Sequence, residues 1–527
     1  MADTLASRLT ALLSAYGVDM VFGIPGVHTA EIYRTLHEHR IRHVTPRHEQ
    51  GAGFMADGYA RVTGRPGVCL VITGPGLSNI ATAMLQARAD SIPMLVISSV
   101  VQQADIGSGR GGLHDMPSQE ALAAALSIFS RTVTSASALD ETIARAFALF
   151  ESARPGPVHI QIPRDLLGAP IEASAIRRAM PARPPVPDTA AIAKTVAMID
   201  EAQSPVIILG GGARRGGTAA LALAEKLDCP ILGTVNARSL LPRDHPLTIT
   251  SGVNLPATRA LVDNADLTLA FGTEMGPTDY KDWTTGEMIV PQCLIRVDID
   301  PEQLFRNAIP DLALLGDAAA TIAQLRDGVT AAARDGALLA RGVQREVEAN
   351  CSADQKRLAA ALEAIRAAAP TAALVGDSTQ LTYAGNDLFA VGDKGHWFNS
   401  ATGFGTLGYG LPAGIGASLG RPDEPVVVLI GDGGIQFTLG ELGALREVAG
   451  PMVVVVWNSD GYLEIRKHME GNGIDPIGVD LPAPDFAMVA KAYGLGTEVI
   501  ESPSGLGEAV ARGLREGRPY LVEVQGV

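Results

Sequence analysis

"PVVVLIGDGG", Pro425 to Gly434, decides the fold. A run as apolar as Val426–Ile430 reads as a strand buried on both faces, the signature of a parallel sheet. It ends in a glycine turn that carries one acid, Asp432. A helical pattern follows in "FTLGELGALREV", and then a second buried strand, "PMVVVVW", which runs straight into the polar cluster "NSDGY". Asp432 and Ser459 are 27 positions apart, the length of one strand–helix–strand crossover. Both are therefore expected at the carboxyl ends of neighbouring parallel strands, about 4.8 Å apart, where open α/β sheets bind their ligands. Magnesium takes oxygen ligands and bridges carboxylates to phosphates. Gly433 and Gly434 let backbone N–H groups approach a diphosphate. The pattern predicts a metal–diphosphate site.

The same layout recurs upstream. "CLVITGPG" (Cys69–Gly76) parallels "VVLIGDGG" (Val427–Gly434), and each is followed, 19 or 20 residues after its turn, by a proline opening another apolar strand. Short β-branched runs alternate with helical patterns throughout, the mark of an α/β fold. A Pro-rich stretch, "MPARPPVPDTA" (Met180–Ala190), reads as an extended linker. A charged, Ala-rich stretch, residues 329–355, reads as partly helical. They divide the 527 residues into 1–178, 190–328 and 355–527, three doubly wound parallel-sheet domains.

A formal net charge of −15 argues against nucleic acid or an anionic membrane as partner. The four cysteines, Cys69, Cys229, Cys293 and Cys351, lack any C-x-x-C spacing and read as reduced thiols. "MADTLASRLTALLSAYGV" reads as a first amphipathic helix rather than a signal peptide. No apolar run approaches the roughly 18 residues of a membrane span. A cytoplasmic location is the expectation.

"GDGG" followed by "NSDGY" resembles the thiamine-diphosphate binding motif of the acetolactate synthase and pyruvate decarboxylase superfamily. The resemblance implies thiamine diphosphate and Mg2+ as cofactors, with the metal held by Asp432, the Ser459 side chain and the Gly461 carbonyl. The family pattern has two adjacent Asn residues; here they are Asn458 and Ser459, and a hydroxyl is a shorter, weaker ligand. "GDSTQLTY" (Gly376–Tyr383) is similar to the loop that covers the diphosphate, with Ser378, Thr379 and Gln380 as donors. "ATGFGTLGYGLPAGIGASLG" (Ala401–Gly420) resembles the cradle in which an apolar residue, here Leu407, bends the cofactor and a carbonyl, here Gly405, bonds its amino group. Thr406 and Tyr462 join the cofactor contacts on the same ground.

"PRHEQGAGFMADGYAR" (Pro46–Arg61) opens a helix with Glu49 and then small residues, which let a planar ring or another subunit come close. Read without the family, Glu49 is a surface acid favoured by the helix dipole. The stretch, together with "GIPGVHTAEIY" and "TGPGLSN", resembles the superfamily's pyrimidine-binding domain. There a glutamate works on the cofactor's aminopyrimidine so that the thiazolium carbon loses its proton, a task suited to a carboxyl in a dry pocket. That role falls to Glu49, with Pro25, Gly26 and Thr73 among the cofactor contacts. The resemblance also implies a site shared between subunits, so a homodimer at minimum, with a homotetramer common.

The implied substrate is a 2-oxo acid. Glu464, three residues after Gly461, would repel a second anionic substrate and welcome a cation through charge-assisted bonds; the other reading pairs it with Lys467 on a solvated helix face. The stretches around Glu49, Gln380 and Glu464 look most like decarboxylases of 5-guanidino-2-oxopentanoate, which form 4-guanidinobutanal. His114, where the acetolactate synthase branch has Gln, is a candidate proton shuttle, and His28 a second. "LGGGARRGG" (Leu209–Gly217) lacks G-x-G-x-x-G spacing and reads as a strand-ending turn rather than an FAD or ADP site. Rival readings are an acetolactate synthase-type carboligase, a non-catalytic partner subunit weakened at Ser459, and a flavin or nicotinamide oxidoreductase.

Overall fold

The computed structural model describes residues 3–281 and 285–526; Met1, Ala2 and Val527, which the domain boundaries above include, lie outside the described residues. The described residues form three six-stranded sheets in which every ladder is parallel. The first runs in the order Arg42–Val44, Met20–Gly23, Gly67–Val71, Met94–Val100, Pro157–Pro163, Phe129–Thr132. The third runs His396–Asn399, Ala373–Gly376, Val426–Gly431, Met452–Trp457, Tyr520–Val524, Gly496–Ile500. Numbered by chain position within each sheet, both read 2-1-3-4-6-5. The repeat read between "CLVITGPG" and "VVLIGDGG" is thus one fold used twice, with both glycine turns at the end of the third strand.

The middle sheet, Leu312–Leu315, Leu294–Asp298, Leu267–Phe271, Pro205–Leu209, Ile231–Gly233, Thr248–Ile249, has the doubly wound order of dinucleotide-binding folds. Its glycine turn is used in packing. Gly210 and Gly212 donate their N–H groups to the Phe271 and Gly272 carbonyls at 2.8 and 3.0 Å.

The first helix, Leu5–Ala15, carries a capping box between Thr4 and Ser7 and buries Leu5, Leu9, Leu12 and Leu13. Residues 172–188 hold neither helix nor strand, as their prolines require. A helix, Gly336–Asn350, fills most of the second connecting stretch. Among the described residues no helix is long and apolar enough to cross a membrane.

The first and third sheets share one apolar core. Its centre is the crossing of helix Glu49–Thr63 with helix Gly410–Gly420. A Cβ on Gly58 would stand 2.0 Å from the Ala413 carbonyl oxygen, and one on Gly416 1.9 Å from that of Met55. Glycine at both positions is what allows the two backbones to touch. A buried ion network completes the joint. Arg61 donates to Asp57 and Asp90 at 2.6 Å each and to Asn236 of the middle domain at 3.1 Å, while the Tyr409 hydroxyl donates to Asp57 at 2.5 Å. Removing one partner of so buried a set would leave an uncompensated charge.

One local expectation is corrected. "FTLGELGALREV" is not an α-helix. A short α-turn, Asp432–Gln436, is followed by a 3-10 stretch, Leu439–Glu447. Gly440 and Gly443 weaken the α-helix there, and both lie against the Arg47 side chain.

Candidate active site

Gly431 and Trp457 are register partners on adjacent strands, so the residues after them leave the sheet side by side. Asp432 is 1% exposed. Its Oδ1 accepts from the Ser459 N–H at 3.1 Å and the Ser459 hydroxyl at 3.3 Å, and its Oδ2 from the Gly461 N–H at 2.8 Å. Ser459 Oγ also lies 3.3 Å from the Gly461 carbonyl oxygen. A carboxylate, a hydroxyl and a carbonyl therefore converge at spacings close to the ~3 Å that separates neighbouring ligands of an octahedral magnesium ion. Asn458 takes no part. Its amide donates to Glu523 at 2.8 Å and accepts from the Asp460 N–H at 3.1 Å. Burial pushes the Asp432 carboxyl above its ordinary value, opposed by the donors of Ser459 and Gly461; a cation would reverse the balance. Ser459→Ala is expected to raise the magnesium needed for half-maximal cofactor uptake about tenfold, read by titrating the ion at fixed cofactor. An unchanged requirement would remove Ser459 from the ligand set.

Three loops meet at this corner, from the adjacent strands Ala373–Gly376, Val426–Gly431 and Met452–Trp457. A Cβ on Gly433 would stand 2.6 Å from the Tyr462 ring, and one on Gly434 2.9 Å from Asp377 Oδ1. Thr379 Oγ1 faces Gly431, and the Ser378 hydroxyl lies 3.3 Å from that of Ser400. Asp377, which the sequence reading passed over, is buried and accepts from Ser378 and Gly410 N–H groups at 2.9 Å each. It ties the loop at Ser378 to the helix that follows Leu407. Burial, against those N–H donors, moves its carboxyl up to about 6.

Gly405 is exposed, with a left-handed φ of 72°, and Leu407 is half-buried. Phe404 and Phe437 are 46% and 56% exposed, and the Phe437 side chain lies against Gly408. Thr406 is turned inward. Its hydroxyl donates to Gln86 of the first domain at 3.0 Å. The Gln380 side chain also has partners within the fold. Its oxygen accepts from Trp457 Nε1 at 3.1 Å, and its amide nitrogen donates to Glu464 at 2.8 Å. Glu464 accepts from Lys467 at 3.3 Å as well, and its side chain is 44% exposed.

The other candidate residues gather on the first domain. Glu49 begins the helix Glu49–Thr63, is 8% exposed, and accepts from the Asn79 amide at 2.9 Å. It is not a surface acid. Asn79, not assigned from sequence, lies in the quoted "TGPGLSN". The His28 and His114 rings meet edge to face at 5.4 Å. Arg164 donates to His28 Nε2 at 3.1 Å, so Nδ1 carries the proton and donates to the Thr73 hydroxyl, also at 3.1 Å. Burial, then Arg164 and His114, hold His28 below its ordinary value. Thr73, 1% exposed, passes its hydroxyl contact on to Ser99 at 2.9 Å. Pro25 is exposed; Gly26 donates its N–H to Thr29 at 3.1 Å. Among the described residues no hydrogen bond joins Glu49, His28 or His114 to the Asp432 corner.

Comparison with known proteins finds three domain families of thiamine pyrophosphate enzymes along the chain. The N-terminal TPP binding domain matches residues 3–122, the central domain 192–325 and the C-terminal TPP binding domain 377–524. The chain belongs to the thiamine pyrophosphate enzymes. It is 47% identical to the probable 2-ketoarginine decarboxylase AruI of Pseudomonas aeruginosa, over 98% of this chain and 92% of that protein. It is 32% identical to the acetolactate synthase isozyme 1 large subunit of Escherichia coli, over 99% and 94% of the two chains. The acetolactate synthase large subunit of Parasynechococcus marenigrum is 30% identical, over 98% and 87%. The family's cofactor, thiamine diphosphate, fits the residues present. The oxygens of Asp432, Ser459 and Gly461 suit its metal, and the first N–H groups of the turn after Gly431 lack intrahelical partners.

Proposed function

We propose that this chain is a magnesium-dependent decarboxylase that converts 5-guanidino-2-oxopentanoate to 4-guanidinobutanal and carbon dioxide. The observation that carries the reading is the 47% identity, over nearly both whole chains, to the probable 2-ketoarginine decarboxylase, against 32% and 30% to the acetolactate synthases. Thiamine diphosphate, once bound, would supply a nucleophilic carbon for the keto group and a cationic ring as electron sink for the loss of carbon dioxide. The chain supplies the rest. Asp432, Ser459 and the Gly461 carbonyl hold the metal. Ser378, Thr379 and the N–H groups of Gly433 and Gly434 face the diphosphate. Leu407, Gly405 and Tyr462 shape the bed of the rings. Glu49 exchanges a proton with the aminopyrimidine, and the His28–His114 pair delivers the proton that completes the aldehyde.

The two halves of the site complete one another between subunits of a cytoplasmic homodimer or homotetramer. Exposed apolar side chains on both halves support this: Val27 and Leu113 on the first domain, Phe404 and Phe437 on the third. Glu464 selects the substrate. Its carboxylate, held by Gln380, receives the guanidinium in place of Lys467. A charge-assisted bond of about 1.5–3 kcal/mol puts the expected loss of kcat/KM in Glu464→Gln at about tenfold or more, confined to the guanidino acid. Carbon dioxide release from a panel of 2-oxo acids, with thiamine diphosphate and magnesium, tests both points. Acetolactate as the main product from pyruvate alone would overturn the decarboxylase reading. Equal losses on apolar acids would give Glu464 a general role instead of a selective one.

A further inference from the structure

Glu441 is a fully buried acid that the reaction described above does not use. It sits on the 3-10 stretch Leu439–Glu447, just beyond the Asp432 turn, and is 1% exposed. Its carboxyl crosses from the third domain to the first. Oε1 accepts from the backbone N–H groups of Arg47 and His48 at 2.9 and 3.0 Å, the two residues immediately before Glu49. Oε2 is buried with no hydrogen-bond partner. The contact is built from both sides. A Cβ on Gly51 would stand 2.2 Å from Glu441 Oε1, so a larger residue there would displace the carboxyl. Arg47 in turn lies along Gly440 and Gly443 and donates to the Gly443 carbonyl at 2.8 Å. A buried acid with one oxygen unmatched is costly to keep. Burial pushes this one up to about 7, against the two N–H donors and the Arg47 guanidinium.

The geometry points to Glu441 as a positioning residue, one that clamps the start of the Glu49 helix to the third domain and so sets where the activating acid stands. The inference rests on the assignment of Glu49 but not on the choice of 2-oxo acid. Small residues at Gly51 were read from sequence as room for a ring or a second subunit; at this position the room is filled by Glu441.

The test pairs Glu441→Ala with Gly51→Ala. In cofactor-free protein, Glu441→Ala is expected to speed amide hydrogen exchange about tenfold at Arg47 and His48, while the far end of the helix is unchanged. In the loaded enzyme both variants are expected to lose about tenfold or more in kcat, with KM for the 2-oxo acid and cofactor affinity within about threefold of wild type. Because Gly51→Ala acts by displacing the carboxyl that Glu441→Ala removes, the double variant is expected to be no worse than Glu441→Ala alone. Additive losses, or unchanged exchange at Arg47 and His48, would overturn the proposal. If Glu441→Ala does not fold, Gly51→Ala carries the test, since it removes no side-chain atom and only displaces the carboxyl; wild-type kcat in that variant would overturn it too. Failure of the Glu49 assignment is seen separately, as full activity in Glu49→Gln.

Discussion

Replacing Glu49 with Gln is expected to lower turnover by about two to four orders of magnitude, the range that proton transfer by a positioned side chain contributes. Cofactor uptake with magnesium is expected to stay within a few-fold. The substitution is close to isosteric. The amide oxygen can still accept from Asn79, which holds the carboxyl at 2.9 Å, and the helix still begins at the same place behind its His48 cap. What disappears is the exchangeable proton. The side chain is 8% exposed, so no bulk acid or base stands in for it. Steady-state decarboxylation and a cofactor titration on the same preparation check the split. Unaltered turnover would remove Glu49 from the chemistry, and with it the reading of the first domain as the pyrimidine side of the site.

Asp432→Ala is expected to fail at an earlier step, with the cofactor concentration for half-saturation in magnesium raised about a hundredfold or more. Two effects add. The corner loses the one charged oxygen that a hard dication requires. The N–H groups of Ser459 and Gly461, and the Ser459 hydroxyl, also lose the acceptor around which their turn is built. Each buried donor left unmatched costs about 1–3 kcal/mol. Calorimetric titration with thiamine diphosphate, with and without magnesium, measures the loss; in the variant the two curves are expected to coincide. An ion-dependent uptake as tight as wild type would place the metal elsewhere.

The two predictions differ in how far their residues could be read in advance. Asp432 and Ser459 were paired by strand lengths alone, because a crossover of fixed length in a parallel sheet delivers both turns to the same edge. The register of Gly431 with Trp457 bears this out. The domain repeat was legible for the same reason: each unit of strand, glycine turn and following strand is contiguous in sequence, and both copies share one strand order. Glu49 needed more. Its burial and its hydrogen bond from Asn79 come from a tertiary contact that no local pattern carries.

Sequence by itself determined the three parallel α/β domains and the meeting of the Asp432 and Ser459 turns, since these follow from hydrophobic period and from glycine positions along contiguous stretches; thiamine diphosphate entered through the resemblance of those stretches to a known family. Tertiary structure alone decided that Thr406 and Gln380 take partners inside the fold, that Asn458 turns to Glu523, and that Glu441 reaches the backbone ahead of Glu49. These are hydrogen-bond choices between groups far apart in the chain. They turn on tenths of an ångström and on which polar group burial leaves without water, and neither is encoded in any single stretch of residues.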